Sequence, residues 1–250
     1  MTERAHTSTM TAPPSPGEPA APAPTHGPAR APSRRAPRAA RAWIALEVLL
    51  VFVIGPALLA VMNTRGLLFP AIWLLGLYAW AALRRAPGSD RRELVRLPRG
   101  RVWVHAAVTA VVWVGLAGSL LLALNPDALF GFPRHNPGVW LLVMIGYPLL
   151  SVPGQEIAFR SLAFARLESL LPGRLGAVVW AQAGLFAWAH IVMWNWWAVF
   201  FCMIGGVLIG RSYAQHRSLP LAVAQHALYG CLMFTVGWGQ YFVAGRFTGP

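Results

Sequence analysis

Apolar residues recur along the chain in long runs broken by short polar stretches, not in the rhythm of a helix with one wet face. Seven runs stand out: Trp43–Met62, Leu67–Leu83, Val102–Leu124, Val139–Val152, Leu175–Val192, Ala198–Tyr213 and Leu221–Ala244. Several approach the roughly 20 residues that carry a helix through the hydrocarbon of a bilayer. The fourth is short and holds Pro148, with Pro153 just beyond it, and proline weakens helical bonding by removing an N–H. A less apolar but helical stretch, residues 155–171, follows, so the fourth run reads as a half-helix continued by the next segment. The expected fold is all-α: a polytopic transmembrane bundle of seven or eight helices.

Residues 1–40 lack this pattern. They are rich in Pro, Ala, Ser and Arg, with Pro13, Pro14, Pro16, Pro22 and Pro24 among them. Such a segment buries too little apolar area to offset its ordering entropy, so a disordered basic tail is expected, with the transmembrane domain filling residues 41–250.

Composition sharpens the class. Of 250 residues, 56% are hydrophobic and 12% charged, and mean hydropathy is +0.51. A soluble chain carries about twice that charged fraction. The net charge of +13 would suit nucleic acid, but its placement argues against such a partner. Every basic residue is Arg, and most lie in two clusters beside apolar runs: Arg30, Arg34, Arg35, Arg38 and Arg41 before the first, and Arg84, Arg85, Arg91, Arg92, Arg96, Arg99 and Arg101 after the second. That asymmetry puts both clusters, and the N-terminus, on the cytoplasmic side. The expected location is the bacterial cell membrane, with the lipid bilayer as surroundings. Trp194, Trp196 and Trp197 read as an interfacial aromatic belt. Cys202 and Cys231 form no CxxC pair and imply no disulfide framework.

A charge inside the hydrocarbon costs at least a few kcal/mol, so it needs a partner or a purpose. The second half holds few candidates: Glu156, Arg160, Arg166, Glu168, His190 and His226. Glu156 and Arg160 are four apart, which stacks them on one helical face with the carboxylate on the favourable N-terminal side. An ion pair that only pins helices fits that spacing equally well. Arg166 and Glu168, two apart, do not face each other and read as interfacial. His190 and His226 each sit among apolar residues, where a lone histidine is more often a packing residue. One carboxylate and two imidazoles in three helical segments carry more weight together. A carboxylate accepts a proton from water, and an imidazole orients that water or donates to a leaving amine. Glu156, His190 and His226 would also make a zinc site with an open position, although the spacing does not itself select a metal.

Gln155-Glu156-Ile157-Ala158-Phe159-Arg160, then Phe186-Ala187-Trp188-Ala189-His190, then Ser218-Leu219-Pro220 leading to His226, resemble three motifs of the CAAX-processing and bacteriocin-processing (CPBP, or Abi) intramembrane endopeptidases. Those motifs are Glu-Glu-x-x-x-Arg, Phe-x-x-x-His and His-x-x-x-Asn/Asp, and the resemblance covers residues 138–243. It implies an all-α membrane fold with a polar intramembrane cavity, and hydrolysis of a peptide bond near the membrane surface in a peptide or membrane-protein substrate. Glu156 would be the acid/base residue, Arg160 its orienting partner, and His190 and His226 the water or oxyanion residues. The family's site has been described both with a metal and without one, so one divalent metal such as zinc on Glu156, His190 and His226 is the cofactor expectation if any is used. Two positions depart from the pattern: the first Glu is Gln155, and the Asn/Asp position is Gly230. An amide is no general base at neutral pH, so Glu156 would act without a leading carboxylate, with Asn195, Gln182 and Gln225 as candidate polar neighbours. These departures motivate a second reading, a catalytically inactive relative that binds or scaffolds. A transporter is a third, since intramembrane charges also mark ion paths; the chain shows no inverted repeat.

Overall fold

The structure is a computed structural model and describes residues 37–62, 65–86 and 90–242. Most of the segment read as a tail, 1–36, lies outside the described residues. Among the described residues eight helices follow one another: α1 (Arg38–Val61), α2 (Leu68–Arg85), α3 (Val102–Leu124), the short α4 (Gly131–His135), α5 (Pro137–Leu170), α6 (Leu175–Met193), α7 (Trp196–His216) and α8 (Leu219–Val236). All but α2 and α4 are long and apolar enough to cross a membrane. The outer face of α3 exposes Val104, Val108, Val111, Val112 and Leu116, an apolar surface that suits lipid and not water.

Several boundaries differ from the hydropathy pattern. α1 begins at Arg38, because Pro37 starts a helix that the Arg-rich sequence then continues. α8 ends at Val236, short of the expected Ala244: Gly237 adopts φ 128°, which takes the chain out of the helix into a 3₁₀ turn at Trp238–Phe242. The short fourth run is indeed continued, and α5 spans 34 residues without a break. The helix continues through both prolines and contains two wide turns near them. Residues Tyr147–Ser151, around Pro148, and Ile157–Ala163, after Pro153, form π-helical turns. In α1 the same widening occupies Leu49–Ile54, just before Pro56. A missing or displaced N–H leaves a carbonyl that a wider turn re-satisfies.

Two apolar clusters share α5, α6 and α7. One gathers α3 and α8 through Trp113, Leu121, Phe201, Met233 and Trp238. The other gathers α1 and α2 through Phe52, Ala79, Leu83, Phe159 and Phe186. Between lipid-embedded helices, small residues permit the close contact that dispersion needs. A Cβ on Gly76 of α2 would lie 2.9 Å from Gly154 Cα of α5, and one on Gly154 would lie 2.9 Å from Ile72 Cγ2. A Cβ on Gly206 of α7 would lie 3.0 Å from Ala183 Cα of α6.

The tryptophan belt holds only in part. Trp196 is exposed, but Trp197 stacks on Phe201 and packs against Trp238 inside the bundle. Trp188 of α6 and Trp194 just after it donate their indole N–H groups to the α1 carbonyls of Val53 and Ala60, at 2.9 Å each. The packing at Gly154 gives a direct test. Gly154→Ala should destabilise the protein by about 1–3 kcal/mol through overpacking. Gly115→Ala, whose Cβ would meet nothing within 4 Å, should not. Thermal denaturation of both variants in the same detergent measures the difference.

Candidate active site

The site is built on α5, α6 and α8. Glu156 lies where α5 passes from an ordinary helical turn into the wide turn at Ile157–Ala163, and Arg160 lies inside that wide turn. His190 stands where α6 tightens into its final 3₁₀ turn. His226 lies two turns into α8, whose start is set by the capping Ser218 and by Pro220 in the first turn. The Ser218 hydroxyl accepts the Leu221 N–H at 3.2 Å and donates to the Arg96 carbonyl at 2.5 Å, fixing where α8 begins.

Glu156 and Arg160 have no exposed surface, and His226 retains 7%. Glu156 Oε1 is 2.7 Å from His226 Nδ1, and Glu156 Oε2 is 3.3 Å from Arg160 Nε. The Arg160 pair lies within one helix, so it pins no two helices together. The His226 contact does, tying α5 to α8 inside the bundle. Because a carboxylate oxygen accepts, His226 carries its proton on Nδ1 there, leaving Nε2 as the acceptor of the neutral ring. His190 Nδ1 lies 2.8 Å from the Phe186 carbonyl. A carbonyl only accepts, so His190 too holds its Nδ1 proton and presents Nε2. Both imidazoles are thus set in the same tautomer by fixed acceptors.

Phe186 is the hub of this arrangement. The Arg160 guanidinium lies over its ring at 4.5 Å. His190 and His226 meet it edge-on, with ring centroids 4.7 and 5.3 Å away, and Phe159 packs at 5.3 Å. One phenyl ring therefore gathers the cation and both imidazoles that the sequence pattern singled out. Hydropathy alone reads Phe186 as one more core residue; its spacing four before His190 is the only sequence signal of this role.

The Arg160 guanidinium nitrogens and Glu156 Oε2 are buried without a well-aligned hydrogen-bond partner. Buried polar groups are nearly always satisfied; Oε2 faces Arg160 Nε at 3.3 Å, which leaves the Arg160 Nη1 and Nη2 donors as the groups an incoming acceptor would meet. Gln155 takes no part: its amide donates to Ser151 Oγ at 2.8 Å, within α5 itself. Asn195 caps α7 by accepting the Trp197 N–H at 2.8 Å. Gln182 is fully buried, and its Oε1 stands 2.8 Å from where Gly210 of α7 would carry a Cβ. Arg166 and Glu168 do not face each other. Arg166 pairs with Glu47 of α1 at 2.7 Å, and Glu168 with Arg217.

Among the described residues, no three His, Cys, Asp or Glu side chains stand close enough together to hold a metal ion. Glu156, His190 and His226 do not form such a group. The carboxylate meets His226 through one oxygen and Arg160 through the other, and His190 Nδ1 is held by a carbonyl.

Breaking a buried pair by removing one partner strands a charge and costs about 3–5 kcal/mol. Arg160→Met should lower thermal stability in detergent by that order, and the double variant Glu156→Gln/Arg160→Met should recover most of the loss.

Comparison with known proteins follows the same segment. Residues 137–232 match the family described as type II CAAX prenyl endopeptidase Rce1-like. No curated protein and no solved structure matches the chain. The matched residues begin with α5 and take in all three motif segments, including Glu156, Arg160, His190 and His226. With six long apolar helices among the described residues the chain is an integral membrane protein, and its segment 137–232 is similar to the Rce1-like family of type II CAAX prenyl endopeptidases.

Proposed function

We propose that this protein is an intramembrane endopeptidase that hydrolyses a peptide bond with a water activated by the Glu156–His226 pair. The observation that carries this reading is the 2.7 Å contact between Glu156 Oε1 and His226 Nδ1, made by two buried side chains from separate helices. A carboxylate on one imidazole nitrogen holds the ring in the tautomer whose other nitrogen is free to take a proton, and it stabilises the imidazolium that forms.

In this scheme His226 Nε2 removes a proton from water while the oxygen attacks the scissile carbonyl carbon. The carbonyl π electrons move onto oxygen, giving a tetrahedral oxyanion. The imidazolium then returns its proton to the amide nitrogen as the C–N bond breaks, releasing an amine and a carboxylic acid. Arg160 holds the Glu156 carboxylate in place, and its open N–H groups add positive potential where negative charge develops. His190, presenting Nε2 near the same phenyl ring, orients the attacking water. The leading glutamate of the motif, replaced by Gln155, is not required by this scheme, since the base is an imidazole backed by Glu156.

The family description suggests the substrate class, a prenylated peptide ending in the Cys-aliphatic-aliphatic-X sequence. The second reading, an inactive relative that binds such peptides, is motivated by Gln155 and Gly230 and predicts peptide binding without cleavage.

Purified protein in detergent, given a quenched-fluorescent farnesylated peptide of this type and its unprenylated counterpart, distinguishes the two. Cleavage of the farnesylated peptide is expected. Glu156→Gln, which keeps the shape and removes the charge, should lower kcat about 10²–10⁴-fold while eluting like wild type, with a lower melting temperature because Arg160 loses its buried partner. His226→Gln should fall in the same range. Cleavage undiminished in Glu156→Gln would refute the role of this glutamate.

A further inference from the structure

His226, Gly230 and Phe234 are spaced four apart on α8 and share one face. Tyr147, from the wide turn of α5, lies over that face. Its ring meets His226 at 5.8 Å and Phe234 at 5.5 Å between centroids, both edge-on. Between those two contacts it crosses Gly230. A Cβ built there would overlap the Tyr147 ring, 2.6 Å from Cζ, and would run into the hydroxyl as well. Tyr147 therefore occupies the space that any side chain at position 230 would fill.

That position is the one where the motif resembled in the sequence carries Asn or Asp. Here the polar group is supplied from another helix. The Tyr147 hydroxyl stands beside α8 one turn beyond His226, and no described residue hydrogen-bonds to it. The tyrosine is half-buried. Pro148 and the π-helical turn set this placement, since they displace the backbone where the ring leaves α5.

We propose that Tyr147 is a further catalytic residue, whose O–H donates a hydrogen bond to the carbonyl oxygen of the scissile peptide and stabilises the oxyanion. The substitution of glycine at 230 and the presence of tyrosine at 147 are then one change: the donor has moved from α8 to α5, and the glycine makes room for it. A phenol O–H serves as well as an amide N–H, because each presents one short, directed donor to the developing charge. The proton stays on the phenol throughout, so no additional proton transfer enters the reaction. This inference rests on the hydrolytic reading above.

The test uses full-length protein in detergent and the farnesylated quenched-fluorescent peptide. Tyr147→Phe keeps the ring over Gly230 and removes only the hydroxyl. It should lower kcat about 10²–10³-fold, the loss seen when one oxyanion donor is removed, with KM within about threefold of wild type. Gly230→Asn alone should melt lower, since its side chain meets the Tyr147 ring. In the Tyr147→Ala background the same Gly230→Asn change should raise kcat at least about tenfold, because the cleared space admits an amide donor. If wild type cleaves and Tyr147→Phe stays within threefold of its kcat, the role of Tyr147 is overturned and the peptidase reading stands. The same holds if the folded double variant gains nothing over Tyr147→Ala. If wild type binds the peptide and leaves it intact, the hydrolytic reading falls and takes this inference with it.

Discussion

A carboxylate enclosed by apolar helices keeps its charge only if fixed partners replace the water it has lost, and much of this bundle is arranged around one such group. Glu156 meets that need from two directions. Arg160 approaches along α5, and His226 reaches across from α8. The second contact constrains the tertiary structure, because α8 must start at a particular place and lie at a particular height for Nδ1 to reach Oε1. The cap at Ser218 and its bond to the Arg96 carbonyl settle the start of α8. Phe186 settles the spacing, since a single ring touches the guanidinium and both imidazoles. Hydrophobic packing and charge compensation thus act on the same atoms.

The irregularities of α5 are what allow one helix to serve both ends of the site. An uninterrupted α-helix with prolines at 148 and 153 would leave carbonyls unsatisfied in a setting without water. Wide turns relieve that cost and change which residues share a face. Tyr147 comes to lie over α8, and Arg160 sits in the wide turn beneath Phe186. Gln155 is turned onto Ser151 of its own helix. The glycines at 76, 154 and 230 are the counterparts of this geometry, each lying where another backbone or ring comes too close for a Cβ.

Away from the site, the Arg-rich segments do more than mark loops. Where α5 and α7 end and α8 begins, the helices are tied by Arg166 to Glu47, Glu168 to Arg217, and Tyr213 to Glu93 at 2.9 Å. Tyr78 of α2 adds a 2.7 Å bond to Glu47. Most of the acidic side chains in the described residues are engaged in such ties or in the site. An apolar bundle with few charges uses them where helices must keep register, since dispersion alone is tolerant of sliding.

Much was legible in the sequence because it depends on local composition. Unbroken apolar runs imply membrane helices regardless of how those helices pack, and ionisable residues within them stand out by cost alone. Glu156, Arg160, His190 and His226 stand out in this way, and the i, i+4 spacing of the first two places them together. What the sequence did not decide is what each contacts at long range. Nothing in the run around Tyr147 distinguishes it from other aromatic residues of apolar helices, and Gly230 reads only as a missing side chain. Gln155 looks like a lost catalytic group until its bond to Ser151 is seen. The contact of Glu156 with His226, the stacking of Arg160 and His226 on Phe186 and the fit of Tyr147 over Gly230 join residues from 26 to 83 positions apart. Such contacts are set by helix crossing, wide turns and small-residue contact, which act only once the helices have packed; local pattern alone carries no record of them.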